Sequence, residues 1–295
     1  MKMDYFCRVL KTVKMREEIY AKKESPYLFK VKAIKNVEIV PFSDVHYDSK
    51  KCDRKLLVKH LEEVVERGAY CFFNGDLLDV MGCLRDPRSG KGDIRPEYDV
   101  ANYLDMVVDD LIEFLRPYKE HILFLGDGNH ETNITRRQET NVLDRIAKPL
   151  GIERMGYSSW VKVQILAETK RGLSEKKQVK SYMIHTHHGF GGNAPRSKGV
   201  MRIDIDAAKY PDADIVLRGH THQKWAIKRK ARRINSQGIM YKKPQLHIQL
   251  GNYKDAYGDG SKGWEVEMEF DETTLGTYLL GFTRSKYYYE EMCED

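Results

Sequence analysis

Long hydrophobic runs are missing from this sequence. Nothing approaches the roughly 18 apolar residues that span a bilayer, and Met1 to Leu10 lack the uninterrupted apolar stretch of a secretory signal. A membrane role is therefore a poor fit, and the expectation is a cytoplasmic protein. Cysteine is scarce too. The five present, Cys7, Cys52, Cys71, Cys83 and Cys293, form no CxxC pair, and their odd number fits reduced thiols better than a disulfide framework. An excess of either charge is also lacking: 50 basic and 44 acidic residues leave +6 with histidine neutral. That balance permits an anionic substrate without requiring one. No repeat, linker or low-complexity tract divides the chain.

What is present is the composition of a soluble globular protein, 41% hydrophobic and 32% charged over 295 residues, enough for one large domain with a substantial core. Residues 1–35, rich in Lys, Glu and Tyr, read as an N-terminal extension, a hairpin or helix packed on the domain, and residues 36–295 as a single domain. The first firm strand, 37–42, runs into Ser43-Asp44-Val45-His46. A helix follows, capped by Asp53 and stopped at Gly68, with Leu56, Leu57, Leu61 and Val64 at helical spacing. Strand 69–73 ends in Asn74-Gly75-Asp76-Leu77-Leu78-Asp79, and a loop rich in Gly, Arg and Pro extends to about Pro96. A helix over 99–116 and a strand over 121–125 then deliver Gly126 to Glu131, before a helix around 141–150. Beyond it strands predominate: 160–166, 181–186, 215–217 and segments near Trp225 and Leu246, with a helix between Val200 and Tyr210. This order predicts an α/β protein of two stacked sheets covered by helices, with the polar segments at strand ends.

Five clusters carry the chemistry: Asp44-Val45-His46, Gly75-Asp76 with Asp79, Gly128-Asn129-His130-Glu131, His187-His188-Gly189, and Gly219-His220-Thr221-His222. Each alone is weak, since a lone histidine is more often structural and a bare Gly-Asp is usually a turn. Together, carboxylate, imidazole and amide donors fall at the tips of successive strands, where parallel ordering brings them to one edge. Such donors suit borderline and hard divalent cations, and the absence of nearby cysteine argues against thiolate zinc. A bridging carboxylate could hold two ions roughly 3.5–4 Å apart, clamp a phosphoryl group and generate a hydroxide nucleophile near neutral pH.

In this order the clusters resemble the pattern of the calcineurin-like metallophosphoesterase superfamily: D-x-H, GD-x-x-D, GNH-[DE], H and GH-x-H. The match covers about residues 37 to 222. The resemblance implies a four-layer α-β-β-α sandwich with two mixed sheets, and hydrolysis of phosphoester bonds at a dinuclear site. It implies two divalent metal ions, drawn from Mn, Fe, Zn or Co with Mn foremost. One would be held by Asp44, His46, His222 and Asp76, the other by Asn129, His188, His220 and Asp76. His130 takes the position of the family's non-ligand histidine, which assists the leaving oxygen, and Glu131 would orient it. Asp79 would stand behind the ligands, bonded to a metal-binding imidazole or to water; as a helix-capping carboxylate it reads equally well. His188 is preferred as ligand because it directly precedes glycine, and His187 is its competitor. The segment Phe190-Gly191-Gly192-Asn193 reads as a substrate-side loop.

The expected partner is a phosphorylated substrate. A nucleic acid is the alternative, since double-strand-break repair nucleases share the motif set, and a non-catalytic scaffold on the same fold is a third reading, opposed by the intact ligand positions. Basic runs at Lys170-Arg171, Lys176-Lys177, Lys228 to Arg233 and Lys242-Lys243 read first as solvated faces, although the Lys228 run could touch substrate if its hairpin folds back toward the site. Arg85, Arg88, Arg95, Arg136, Arg137 and Arg218 are candidates to grip phosphate. Tyr287-Tyr288-Tyr289 reads as a strand or tail rather than a base-stacking surface. Leu250 to Gly258 resembles a stretch of phage and prophage members of the superfamily.

Overall fold

The structure is a computed structural model that describes residues 19–80, 93–166, 168–169, 172–173, 179–191, 197–257 and 272–294. Arg85, Arg88, Gly192, Asn193, Gly258 and the basic pairs at 170–171 and 176–177 lie outside the described residues.

In chain order the strands are β1 (Ile19–Ser25), β2 (Leu28–Ala33), β3 (Asn36–Phe42), β4 (Tyr70–Asn74), β5 (Ile122–Gly126), β6 (Glu153–Arg154), β7 (Ser158–Ile165), β8 (Glu168–Thr169), β9 (Gly172–Leu173), β10 (Lys180–His187), β11 (Ile215–Arg218), β12 (Trp225–Ile234), β13 (Met240–Gln249), β14 (Gly276–Thr283) and β15 (Tyr287–Cys293). The described helices are α1 (Arg54–Arg67), α2 (Tyr103–Leu115), α3 (Asn129–Gln138), α4 (Val142–Leu150) and α5 (Arg202–Lys209). The larger sheet has the order β1-β2-β7-β10-β11-β13-β12 and the smaller the order β15-β14-β3-β4-β5-β6; both mix parallel and antiparallel pairs.

Alternation along the strands builds two cores. On β3, Val37 and Ile39 face the larger sheet and join Phe72, Phe124, Val161, Val163, Ile184, Leu217 and Ile248 in the layer between the sheets. Val40 and Phe42 face the opposite way, onto α1, α2 and α4 through Leu57, Leu61, Leu111 and Ile146. Helix α1 starts where Asp53 accepts a hydrogen bond from Leu56 N at 2.9 Å and ends on the left-handed Gly68. On the far side of the larger sheet, α5 is the one described helix, tied by Asp206 to Arg218 of β11. The result is the four-layer order of helix, sheet, sheet and helix.

Two features depart from the sequence reading. Residues 19–33, read as part of a peripheral extension, are built into the larger sheet: β2 pairs in parallel with β7 from Leu28 to Ala33, and Phe29, Val31 and Ala33 are buried. Interleaved Lys30 and Lys32 hide that apolar alternation. Helix α3 was also not expected, because in Asn129-His130-Glu131-Thr132-Asn133-Ile134 only Glu131 and Ile134 face inward.

Candidate metal centre

Parallel strands β3, β4 and β5 end together, and backbone bonds carry their register past the strand tips: Asp44 N donates to Gly75 O at 3.1 Å and His46 N to Asp76 O at 3.1 Å. The larger sheet does the same, with Gly219 N donating to His188 O at 2.8 Å. The two sheets are joined at this edge. His220 N donates to Asp44 Oδ2 at 2.8 Å, and Asn74 at the end of β4 accepts from Thr186 Oγ1 at 2.5 Å. All five clusters therefore meet in one place.

Among the described residues eight non-glycine residues have positive φ, and five of them are Asp44, His46, Asp76, His220 and His222. Left-handed backbone is tolerated best by Asp, Asn and His, and it costs of order 1–3 kcal/mol where a site demands it. The tight chain reversals also need glycine. At Gly75, with φ of +93°, an added Cβ would stand 2.7 Å from His188 Nδ1 and from Asp127 O. At Gly219 a Cβ would overlap Ser43 Oγ.

Three groups of close-lying donor atoms result among the described residues: Asp44, His46 and His222; Asp76, His188 and His220; and His46, Asp79 and His130, which shares His46 with the first. In the first, His46 Nε2 and His222 Nε2 lie 3.2 Å apart, and Asp44 Oδ1 is 3.6 Å from His222 Nε2. Asp44 Oδ1 is buried and has no hydrogen-bond partner. In the second, His188 Nε2 lies 3.1 Å from both Asp76 Oδ2 and Asn129 Oδ1, with its Nδ1 2.9 Å from Asn74 O. His220 bonds Gly191 O through Nε2 at 2.9 Å, which leaves Nδ1 as its ligand nitrogen. Of the two histidines in competition, the fold brings in His188. The Nδ1 of His187 instead accepts from Gly189 N at 2.9 Å.

Electrostatics favour positive charge here. Burial disfavours a charged imidazole at His188, yet the carboxylates of Asp76 and Asp44 outweigh it and raise its pKa to about 10. Against the same burial, His188 and His130 hold Asp76 well below the usual carboxylate range. His222 is lowered by burial and by neighbouring His46 and Lys254, so it is a neutral imidazole, the form that binds metal. An unpartnered carboxylate oxygen, facing imidazole nitrogens and an amide oxygen fit hard or borderline divalent metal.

Residues behind the ligands fix their rings. Asp79 Oδ1 is 2.8 Å from His46 Nδ1 and 3.3 Å from Lys254 Nζ. His130 Nδ1 lies 2.5 Å from Asp79 O, which turns Nε2 toward the carboxylates, 3.8 Å from Asp76 Oδ2. Glu131, expected to orient His130, is held by backbone groups of two loops. Its buried carboxylate accepts from Gly128 N at 3.0 Å, Asp76 N at 3.2 Å and Leu78 N at 3.0 Å. It clamps the β4 and β5 loops together, and Asp79 O sets the ring of His130.

Several contributors escaped the sequence reading. Asp48 accepts from Asp79 N at 2.6 Å, Val80 N at 2.9 Å and Tyr103 OH. Asn252 Nδ2 donates to His222 O at 3.1 Å, Tyr253 N to Asp44 O at 3.1 Å, and Gln249 Nε2 to Gly219 O at 2.6 Å. Thus the Leu250 to Lys254 stretch, noted in the sequence for its resemblance alone, braces the ligand loops. The arginine candidates divide. Arg218 is buried and paired with Asp206 through Nε and Nη2, its Nη1 having no hydrogen-bond partner, and Arg95 is engaged by Glu97 and Ser49 O. Arg137 bonds Asn133 on exposed α3, the helix that also carries Arg136. The Lys228 to Arg233 run does not fold back: β13 enters the site edge at Gln249 in parallel with β11, so the hairpin runs away from the ligands.

Two mixed sheets between helices, with histidine and carboxylate clusters at the facing strand ends, define a protein of the metallophosphoesterase class. The chain belongs to the calcineurin-like phosphoesterase family, whose model matches residues 38–224. Similar solved structures include a predicted phosphoesterase from Streptococcus pneumoniae TIGR4, at 15% identity over 89% of this chain and 100% of that one, with a TM-score of 0.30. Vps29 complexed with zinc from Entamoeba histolytica is 11% identical over 87% of this chain and 99% of that one, with a TM-score of 0.36. GAP50 of Plasmodium, the anchor in the inner membrane complex, is 9% identical over 87% and 84%, with a TM-score of 0.40. No curated protein matches the chain. No described helix is long and apolar enough to cross a membrane.

Proposed function

We propose that the chain hydrolyses phosphoester bonds at a centre for two divalent cations, manganese foremost. Asp44, His46 and His222 hold one, Asn129, His188 and His220 hold the other, and Asp76 is shared. The observation that carries this reading is the convergence of His46 Nε2 and His222 Nε2 at 3.2 Å beside the unpartnered Asp44 Oδ1, next to a second group around Asp76 and His188. When bound, the two ions would polarise a phosphoryl oxygen and make a hydroxide available near neutral pH.

The chain's own residues supply the rest. His130, its Nδ1–H fixed on Asp79 O, would as the imidazolium hold a second proton at Nε2 for the departing oxygen. Asp79 Oδ1, 2.8 Å from His46 Nδ1, is placed to favour the tautomer with its proton on Nδ1, the one whose Nε2 offers a lone pair inward. Glu131 holds Asp76 and Leu78 in register with the turn that carries Asn129. The test is hydrolysis of an aryl phosphate and an aryl phosphodiester by metal-loaded protein. Asp76→Asn and His130→Ala should each remain folded and lose nearly all activity; wild-type protein inert on both substrates would refute the reading.

A further inference from the structure

Beyond Gln249 at its base, which bonds Gly219 O, the β12–β13 hairpin takes no part in the metal centre described above, yet it concentrates the charge of the molecule. From Trp225 to Leu250 there are seven lysines and arginines and no carboxylate. The whole chain carries +6, so the remainder sums to −1 (6 minus 7). β11 pairs with β13 only from Leu246 to Gln249, and beyond that the hairpin is a free two-stranded ribbon. From Gln249 to Met240 it extends roughly 30 Å from the site edge at about 3.4 Å per residue.

The base of the ribbon is tied down: Arg229 pairs with Asp204 at 2.8 Å, Lys243 donates to Pro211 O at 2.9 Å, and Lys228 sits 5.0 Å over the Tyr289 ring. Lys230, Arg232, Arg233 and Lys242 have no such partner among the described residues. Arg232 and Lys242 are directly opposed across the strands, a like-charge pair that costs stability until an anion lies against it. The turn is well built, with Asn235 Oδ1 accepting from Gln237 N at 3.0 Å and Ile239 N at 2.9 Å. Its apolar residues nevertheless face solvent, Ile234 at 70%, Ile239 at 58% and Met240 at 67% exposure.

We infer that this ribbon is a binding arm for double-stranded DNA, lying in a groove with its cations on the phosphates and its apolar tip against the base edges. A two-stranded ribbon fits the major groove of B-form DNA, and aliphatic side chains serve architectural proteins as wedges between base steps. Alternation puts the unpartnered Lys230, Arg232 and Lys242 on one face and Arg233 on the other, so both phosphate walls are met. An anionic membrane touching the tip would meet Arg232, Arg233 and Lys242 but leave Lys230, four residues or about 14 Å back from Ile234, beyond the Debye length of about 8 Å. The inference does not rest on the hydrolytic reading.

The test is fluorescence anisotropy of the full chain on a short DNA duplex without added metal, with an RNA duplex and anionic phosphatidylserine vesicles as comparators. The variant Lys230→Gln/Arg232→Gln/Arg233→Gln/Lys242→Gln should bind more weakly and flatten the slope of log K against log salt by about 3 to 4 between about 50 and 200 mM. Ile239→Gln/Met240→Gln should weaken binding several-fold at an unchanged slope. Both variants should hydrolyse aryl phosphoesters as the wild type does. The inference is overturned if the wild type does not bind the duplex, if the quadruple variant keeps the full slope, or if the tip variant binds as the wild type does. Preference for the RNA duplex or the vesicles over DNA overturns it equally.

Discussion

His46 and His222 point their Nε2 atoms at one another across 3.2 Å, although 176 positions separate them in sequence. One sits after a strand of the smaller sheet and the other after a strand of the larger. Asp79 stands at Nδ1 of His46 and burial lowers the pKa of His222, so both rings can offer a nitrogen lone pair to the same point, next to the unpartnered Asp44 Oδ1. A divalent cation there would relieve the crowding. Metal should therefore stabilise the fold by mass action, about 2.7 kcal/mol at a hundredfold excess over the dissociation constant. Thermal melts with and without chelator should show the shift for the wild type and a much smaller one for His222→Ala.

Glu131 separates a structural from a catalytic role. Three backbone N–H groups converge on its buried carboxylate, and Glu131→Gln turns an amide donor toward at least one of them. Denaturant unfolding should reveal a loss of about 2–3 kcal/mol. A variant as stable as the wild type with a collapsed kcat would instead place Glu131 in the chemistry.

Lys254 should act through Asp79. Its Nζ lies 3.3 Å from the same Oδ1 that meets His46 Nδ1, so Lys254→Met frees that carboxylate from its cation and loosens the imidazole. Metal affinity should fall by about tenfold, in keeping with the usual cost of disturbing a ligand's supporting groups. Calorimetric titration with Mn2+ measures it, and Lys254→Arg should recover part of the loss.

Stability should fall in mild acid for a reason outside the metal centre. His185 is lowered to about 3 by burial and then by the Arg218 charge, and His247 to about 4 by burial first, with Arg229 and Arg218 adding to it against the opposing Asp206. Both are almost fully buried, and His185 stacks on Tyr210 at 3.5 Å. A depressed histidine contributes stability above its unfolded pKa of about 6.5. That contribution is lost as pH falls toward the folded value, because only the unfolded chain takes up the proton. Between pH 6.5 and about 4.5 each should cost on the order of 2–3 kcal/mol. The double variant His185→Gln/His247→Gln should show a flatter acid limb in urea melts at the two pH values; an unchanged limb would contradict the assignment.

Much of this was legible in the sequence because the apolar strand runs end abruptly in polar motifs. Residues 37–42 lead straight to Asp44 and His46, and residues 121–125 straight to Asn129 and His130. The covered pair of sheets follows from the same alternation. Less visible was whatever depends on pairing between distant segments. Lysines 30 and 32 disguise β2 as surface, although it lies inside the larger sheet. Asn252, Tyr253 and Lys254 reach the ligand loops only because β13 ends beside β11. The direction of the basic hairpin is likewise a matter of strand pairing, and no spacing rule reveals it. The hold of Glu131 on the backbone N–H groups of Asp76 and Leu78 is hidden for the same reason, since those groups lie some 53 to 55 positions away in sequence.

The central claim is that Asp44, His46, Asp76, Asn129, His188, His220 and His222 hold two ions that hydrolysis requires. The most direct measurement titrates metal-free protein with Mn2+, following bound metal and aryl phosphodiester hydrolysis in the same samples. Two equivalents per chain should bind, with activity appearing as the second site fills, and Asp76→Asn should lose both the stoichiometry and the rate. Hydrolysis that persists in metal-free protein, or a chain that binds no divalent cation at all, would contradict the account.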